Sequence, residues 1–477
     1  MKNETLILLT VFVPVLGSFL LPLIGKISET TRNLCALIFV LVSLICSFLL
    51  LPTVMRGETI SALYVQAVNM NYFYADSLAV FMAIVSSLVG AIIVLYSFGY
   101  ISHYEHRNEY YFMVVLFLGS MMGIVYSRNL ISIYVFWEIT ALACWRLIGF
   151  FRERTYVLRA DKAFLVTVFG ALMMLIGFLN IYGTAGSFDL GVISKSHVSN
   201  LAVLFIMFGI LSKSATLPLH TWLPDAGVAP SPVTALLHAA VLVKIGVYVF
   251  ARLFVVTIPL DEMWHTIIPI IAAVSALVSA GAALIDTDMK RIIAYSTVSQ
   301  IGFIFLGLSI GNDVALAGGL LYILMHGLSK AALFLCAGII EQATHTKDIT
   351  KMGGLIKTMP VTAISFLICA FSVMGIPPLG GFFAKYLVIN GAFKSGQTTI
   401  SFVFLFGAVL TIIYLFRLFI LIFMGHSKVE HPEKEGTPVM LISVATLAVL
   451  SILGGIFINY PAEVVMTTVQ QIMGVVR

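Results

Sequence analysis

Five ionisable side chains fall deep inside apolar runs of the chain: Glu138, Lys213, Lys244, Lys330 and Lys385. A charged group at membrane depth costs roughly 2.5 to 3.5 kcal/mol on insertion scales, so its default reading is a site that carries ions or protons. Two histidines accompany them. His326 and Lys330 stand at i and i+4 in MHGLSK, adjacent on one helical face, and a histidine titrating near neutrality suits a relay between lysines. His238 precedes Lys244 by six residues, about one and two-thirds turns, so the two are not quite on the same face. Burial disfavours the charged form of such groups and an opposite charge restores it, so making or breaking one ion pair decides whether a lysine keeps its proton. The static alternative for Glu138, in LISIYVFWEITALACW, is a fixed salt bridge between helices. Ser214, Thr216, Thr221, Tyr295, Ser299, Gln300 and Ser329 are read as holders of bridging water, although plain helix packing is the simpler reading for any one hydroxyl.

Other charged residues are expected to do less. Arginine does not release its proton, so Arg146 and Arg417 are excluded as carriers, and Arg146 is expected to snorkel from a helix end. Lys162, His220 and Asp225 fall near helix ends where water has access, and Asp286, Asp288, Lys290 and Arg291 read as a solvated mixed-charge loop.

The elements that must position these residues are membrane helices. With 477 residues, 60% of them hydrophobic and only 10% charged, the chain lacks the polar surface a soluble globule needs. Apolar stretches of about 20 residues, each long enough to cross a bilayer, recur about fourteen times from residue 5 to residue 459, with no room for a soluble domain between them. The first stretch lacks a clear cleavage site and is expected to be a retained helix. The five cysteines (Cys35, Cys46, Cys144, Cys336 and Cys369) have no metal-ligand spacing and read as small core residues, which argues against a redox centre in the chain. The net charge of +5 is spread over loops and does not imply nucleic acid. Loops after odd-numbered segments hold more Lys and Arg, among them Arg32, Lys290, Arg291, Lys347 and Lys434, than the opposite loops with Arg128, Lys195, Arg252 and Arg477. The positive-inside rule then places both termini on the outer face.

Two segments are interrupted, five apart. The seventh reads KSATLPLHTWLPDAG from Lys213 to Gly227 and the twelfth SVMGIPPLGGFFAK from Ser372 to Lys385, with prolines and glycines that make a continuous helix improbable. Broken helices at matching places point to inverted repeats with an ion site at mid-membrane; simple proline kinks are the bland alternative. The expected fold is all-α, with about 14 transmembrane helices, two inverted five-helix repeats (helices 4–8 and 9–13) and discontinuous helices 7 and 12. The expected division is a three-helix region over 1–110, repeats over 111–254 and 266–424, and a C-terminal helix and tail over 437–477.

The stretches FWEITALACWRLIGF (136–150), KSATLPLHTWLPDAGVAPSPVTALLHAAVLVKIGVY (213–248), DTDMKRIIAYSTVSQIGF (286–303), HGLSKAALFLCAG (326–338) and GIPPLGGFFAK (375–385) resemble the antiporter-like subunits of respiratory complex I. Mrp-type cation/proton antiporters and energy-converting membrane-bound hydrogenases contain similar subunits. The resemblance implies a fourteen-helix subunit with a central hydrophilic axis. It implies a coupling pair of Glu138 and Lys213, inner groups Lys244, His238, His326 and Lys330, and an exit lysine, Lys385. There are departures: Ala171 and Val168 stand where the largest complex I subunit carries an acid and an arginine, and Tyr322 replaces an additional histidine. These put in doubt a sodium site built on the missing acid. With the sequence ending near residue 477, that subunit's long lateral helix is not expected, a length that suits shorter complex I subunits, Mrp antiporters or hydrogenase-type complexes. The run WRLIGFFRER hints at a hydrogenase-like or sulfur-reductase-like complex.

The expected function is proton translocation as one subunit of a multi-subunit membrane complex in a prokaryotic plasma membrane. Its partners would be lipid and other membrane subunits, further antiporter-like ones included. Catalytic, cofactor-binding and metal-binding residues are not expected. The alternatives are a subunit of a sodium/proton antiporter without redox chemistry, and a structural anchor whose ionisable residues form static pairs. A quinone site is less favoured, for want of a motif.

Overall fold

In hydrocarbon every backbone donor and acceptor must be satisfied within the chain, which makes each long apolar run a helix. The computed structural model describes residues 2–65, 70–428 and 435–476; of the loop charges named above, Lys434 and Arg477 lie outside the described residues. The chain opens with α1 (Asn3–Ile27) and α2 (Glu29–Met55), then an antiparallel hairpin of β1 (Ile60–Val65) and β2 (Met70–Ala75) in which Ile60 pairs with Ala75. There follow α3 (Ser77–Tyr100), α4 (Arg107–Tyr126), α5 (Leu130–Ile148), α6 (Arg154–Ala185) and the single turn α7 (Leu190–Ile193). The seventh crossing is split into α8 (Asn200–Lys213) and the short α9 (Trp222–Asp225). The eighth runs from α10 (Ser231–Ala235) through a π-helical stretch (Leu236–Ala240) and α11 (Leu242–Phe250) to a second π-helical stretch (Ala251–Thr257). The remainder comprises α12 (Trp264–Ile285), α13 (Met289–Ser309), α14 (Asp313–Thr344), α15 (Pro360–Met374), α16 (Gly380–Lys394), α17 (Thr398–Phe423), α18 (Pro438–Ile456) and α19 (Asn459–Val476).

Among the described residues twelve helices are long and apolar enough to cross a membrane, and the two shorter apolar helices α8 and α15 bring the crossings to the fourteen expected. The hairpin and the π-helical stretches were not foreseen. Helix starts follow local chemistry: Ser28, Asp76, Asn129, Asp288 and Asn312 each accept a hydrogen bond from a backbone N–H of the following turn. Both breaks fall where the sequence has its prolines, and each holds a cis peptide, Leu217–Pro218 and Pro377–Pro378. Gly375 ends α15 with φ of 85°, a left-handed conformation that favours glycine.

Lys244 and Lys330, with the Ser296 that Lys330 meets, lie on well-enclosed helices. The most apolar window of α13 or α14 is 94% buried and that of the eighth crossing 89%, against 33% for α2, whose exposed leucines and isoleucines suit lipid. α14 lies against α3, α10, α13, α15, α16, α18 and α19, so it is the axis of the bundle. Its approach to α13 is close because Gly307 and Gly319 face each other; a Cβ on Gly307 would stand 2.7 Å from the Gly319 Cα. α19 returns to the face where the chain begins, and Gln471 donates to the carbonyl of Val54 at the end of α2.

Candidate functional site

Lys213, Lys244, Lys330 and Lys385 are all buried, as are His238 and His326. Among the described residues none of the four lysines is ion-paired with a carboxylate. Each ammonium group rests on neutral acceptors. Lys213, the last residue of α8, donates to the carbonyl of Trp137 at 3.1 Å and sits 5.1 Å from the centre of the same indole. Lys330 donates to Ser296 Oγ at 2.6 Å and to the Ile293 carbonyl at 3.2 Å, both on α13. Lys385 donates to the Val373 carbonyl at 2.7 Å and faces the rings of Phe303 (4.6 Å) and Tyr322 (5.7 Å).

The centre is the meeting of Lys244 and His326. Lys244 Nζ lies 2.6 Å from His326 Nδ1, and 3.5 Å from the carbonyl of His238 on its own helix. His238 occupies the first π-helical stretch, a geometry that recurs at functional sites. Its ring packs on Phe334, centroids 4.4 Å apart, and neither of its nitrogens meets a hydrogen-bond partner among the described residues. The expected adjacency of His326 and Lys330 on one face of α14 holds as spacing, but the two reach in different directions, His326 to the eighth crossing and Lys330 to α13. Between Lys330 and Lys385 lies a polar chain of which the sequence reading singled out only Gln300 as a polar link. Ser296 Oγ is 2.8 Å from Tyr414 Oη, Gln300 Nε2 donates to Tyr414 and Thr411, and Tyr322 donates to Gln300 Oε1 at 2.6 Å. Tyr322, read only as a lost histidine, therefore joins that chain to the ring face beside Lys385.

Glu138 comes next to Lys213 only through Trp137. The expected ion pair is not formed: Lys213 binds the Trp137 carbonyl, and Glu138 Oε1 is buried without a hydrogen-bond partner. Glu138 itself is half-buried on the flank of α5.

Several charges differ from their expected roles. Arg146, expected to snorkel from its helix end, makes a two-pronged pair with Glu109, which Arg152 also joins at 2.6 Å. Arg252, counted as a loop charge, is fully buried and grips Asp76 at 2.6 and 2.7 Å, with a further hydrogen bond to Tyr74. Lys290, read as solvated, is buried and paired with Glu341 at 2.6 Å. Arg291 joins Asp286 (2.9 Å) to Asp225 (2.8 Å), which also holds Lys162 (2.7 Å). Arg417 donates to the Asp286 carbonyl. Long-range pairs of this kind leave no spacing signal; only Glu341 had one, lying on the same helix as His326 and Lys330.

The buried row of protonable groups lies in a fourteen-crossing bundle with two broken helices, the architecture of an integral membrane protein. Residues 127–411, more than half of the chain, match the family described as NADH:quinone oxidoreductase/Mrp antiporter, and the chain belongs to it. Residues 66–111 match the family described as the N-terminus of NADH-ubiquinone oxidoreductase (complex I) chain 5. Subunit A1 of a Na(+)/H(+) antiporter from Staphylococcus aureus is 32% identical over 491 residues, covering 95% of this chain and 61% of that protein. The same subunit from strain Newman is 33% identical, covering 86% and 55%. The chain thus spans little more than half the length of these relatives. Among solved structures, a chain of the Mrp complex from Dietzia sp. DQ12-45-1b superposes with a TM-score of 0.90 at 22% identity over 100% of both chains. A chain of the membrane-bound sulfane sulfur reductase, an archaeal respiratory membrane complex, gives 0.91 at 24% identity over 98% of both. These last two likenesses establish a shared fold.

Proposed function

We propose that the chain forms one proton-translocating channel of a larger membrane complex. The observation that carries this reading is the buried contact of Lys244 with His326, set in a row of lysines held only by neutral acceptors. Such a lysine exchanges its proton without first breaking an ion pair. Protons enter from the cytoplasm near His238 and Lys244, cross through His326 and Lys330, and leave at Lys385, with the polar groups of Ser296, Tyr414, Gln300 and Tyr322 lining the way between the last two lysines. Glu138 and Lys213 act as the coupling pair. They stand on either side of Trp137, so a small side-chain movement, or a cation from a neighbouring subunit reaching Glu138, changes the field on the inner lysines. Moving one charge against 100 mV takes about 2.3 kcal/mol, which a swing of about two pKa units covers.

In this reading helices 4–8 and 9–13 are two related units, both termini face outward from a prokaryotic plasma membrane, and the partners are other membrane subunits of the same complex, including further antiporter-like ones. The antiporter relatives support a second reading, sodium/proton exchange without redox chemistry. The subunits that copurify decide between the two: iron-sulfur or hydrogenase-like proteins favour the first, small membrane subunits alone the second. Proton uptake by vesicles holding the purified complex tests the channel itself. Replacing Lys213 or Glu138 with alanine is expected to abolish uptake while the complex still assembles; undiminished uptake overturns the scheme and favours a static anchor.

A further inference from the structure

Four tyrosines are exposed among the described residues, and three of them lie near the membrane faces, where an amphipathic ring can wet its hydroxyl. Tyr64 is in the β-hairpin, Tyr182 is three residues from the end of α6, and Tyr460 is the second residue of α19. Tyr386 is placed otherwise. It is 56% exposed and stands eight residues, about 12 Å, inside the end of α16 at Lys394. Helical side chains lean toward the N-terminus of their own helix, and the N-terminus of α16 is the break in the twelfth crossing. The ring accordingly stacks on Phe382, one turn back, with centroids 6.2 Å apart and planes at 20°. This lean carries the hydroxyl deeper into the membrane, away from the face at Lys394. Among the described residues it meets no hydrogen-bond partner, and neither does the half-buried amide of Asn390, one turn further along the same face.

Lipid does not suit such a face. Hydrocarbon offers no acceptor, and a polar group left bare there is costly. The stripe of Phe382, Tyr386, Asn390 and Phe393, in steps of four, four and three, carries two polar groups, whereas the exposed middle of α2 is Leu34, Ile38, Ile45, Phe48 and Leu49. Polar side chains that hydrogen-bond across helices are a mark of helix contacts within membranes. The chain itself carries the complementary group at the matching depth. Glu138 stands eight residues, again about 12 Å, from the end of α5 at Leu130. Eight crossings separate Leu130 from Lys394, so both lie on the same face of the bundle. Glu138 is half-buried on a flank that exposes Val135 and Leu142, and its Oε1 lacks a partner among the described residues. A carboxylate only accepts, and the Tyr386 hydroxyl has a hydrogen to give, so an acid at this depth completes the α16 face.

We infer that the face of α16 bearing Tyr386 and Asn390 is a subunit interface, covered by a transmembrane helix of a neighbouring subunit that brings a carboxylate to the Tyr386 hydroxyl. The inference rests on the reading of the chain as one subunit of a larger membrane complex, and it names a face on which a partner sits. A face covered by lipid alone is the competing account.

Photocrosslinking in the purified complete complex separates the two, with p-benzoylphenylalanine in place of Tyr386, where it keeps an aromatic ring, and in place of Ile45 on α2 as the lipid-facing background. The probe at position 386 is expected to capture one other subunit well above that background, through a membrane-spanning peptide that contains Asp or Glu. Tyr386→Phe keeps the ring and removes the donor. It is expected to weaken retention of that subunit in detergent titrations by about three- to tenfold, the size of one hydrogen bond between membrane helices. Capture of lipid alone, capture of a peptide without an acid, or unchanged retention in Tyr386→Phe overturns the inference. The channel reading then still stands if Lys244→Ala is dead to proton uptake. Normal uptake in Lys244→Ala overturns the channel reading and leaves the interface untouched.

Discussion

Lys244 Nζ and His326 Nδ1 lie 2.6 Å apart, and among the described residues no carboxylate is paired to either, so one of the two nitrogens donates to the other. An ammonium donating to Nδ1 requires that nitrogen to be bare; an Nδ1–H donating to the lysine requires a neutral amine. The contact therefore exists in two forms that differ by the position of a proton. Replacing Lys244 with arginine keeps the charge and removes the exchange, because a guanidinium does not give up its proton. Proton uptake in Lys244→Arg is expected to be lost as fully as in Lys244→Ala, with both complexes assembled; uptake by the arginine variant would exclude a carrier role.

Asp76 and Arg252 clasp the start of α3 to the second π-helical stretch through two hydrogen bonds. Removing one partner of a buried pair leaves the other charge uncompensated and costs about 3 to 5 kcal/mol. Asp76→Asn is therefore expected to lower the unfolding temperature of the purified protein in detergent markedly. Asp76→Asn with Arg252→Met should recover much of the loss.

The same clasp gives a pH dependence. Burial pushes the Asp76 carboxyl up, and the Arg252 guanidinium together with hydrogen bonds more than offsets this, leaving it below its ordinary value. A folded-state value below the unfolded one contributes stability that is fully present above the unfolded value of about 3.9 and lost as pH falls through the folded value. Melting curves should thus show no contribution from Asp76 to any change between pH 6 and pH 8 (about two units above its range). Below about pH 4 the wild type should lose stability and approach Asp76→Asn.

Two kinds of glycine should respond oppositely to alanine. At Gly381 a Cβ would stand 1.9 Å from the carbonyl oxygen of Ser372, backbone that the broken twelfth crossing cannot move away cheaply. At Gly183 in α6 and Gly281 in α12 nothing lies within 4 Å. Gly381→Ala is expected to depress folded yield severely, whereas Gly183→Ala and Gly281→Ala should be neutral or stabilising by about 0.5 to 1 kcal/mol through the helix preference of alanine. Detergent-stable yield and melting temperature read both.

What could be seen in the sequence was whatever leaves a local trace. Runs of apolar residues gave the fourteen crossings and prolines gave the two breaks, because span length and lost backbone donors are properties of adjacent residues. The row of lysines and histidines was visible because each is conspicuous in its own apolar run. Partners were another matter. Arg252 with Asp76, Lys290 with Glu341 and Arg146 with Glu109 are separated by dozens of residues or more, and each pair forms only after the helices pack. Glu138 with Lys213 was legible as two charges, but not as two charges parted by the Trp137 carbonyl. The polar chain through Ser296, Tyr414, Gln300 and Tyr322 joins α13, α14 and α17; Gln300 was conspicuous in its own run, but its partners were not, because they lie on other helices.

The winding of the eighth crossing sets a further constraint. An i→i+5 turn encloses one residue more than an α turn, and His238 sits within such a turn while Lys244 follows in ordinary α winding. Deleting Ala239 or Ala240 while the wide turn persists would swing His238 by about 100° in azimuth relative to Lys244. The histidine would leave Phe334, while every remaining side chain kept its chemical identity. The orientation of these two protonable groups is written in the count of residues between them, so this stretch tolerates exchange of apolar side chains far better than a change in its length.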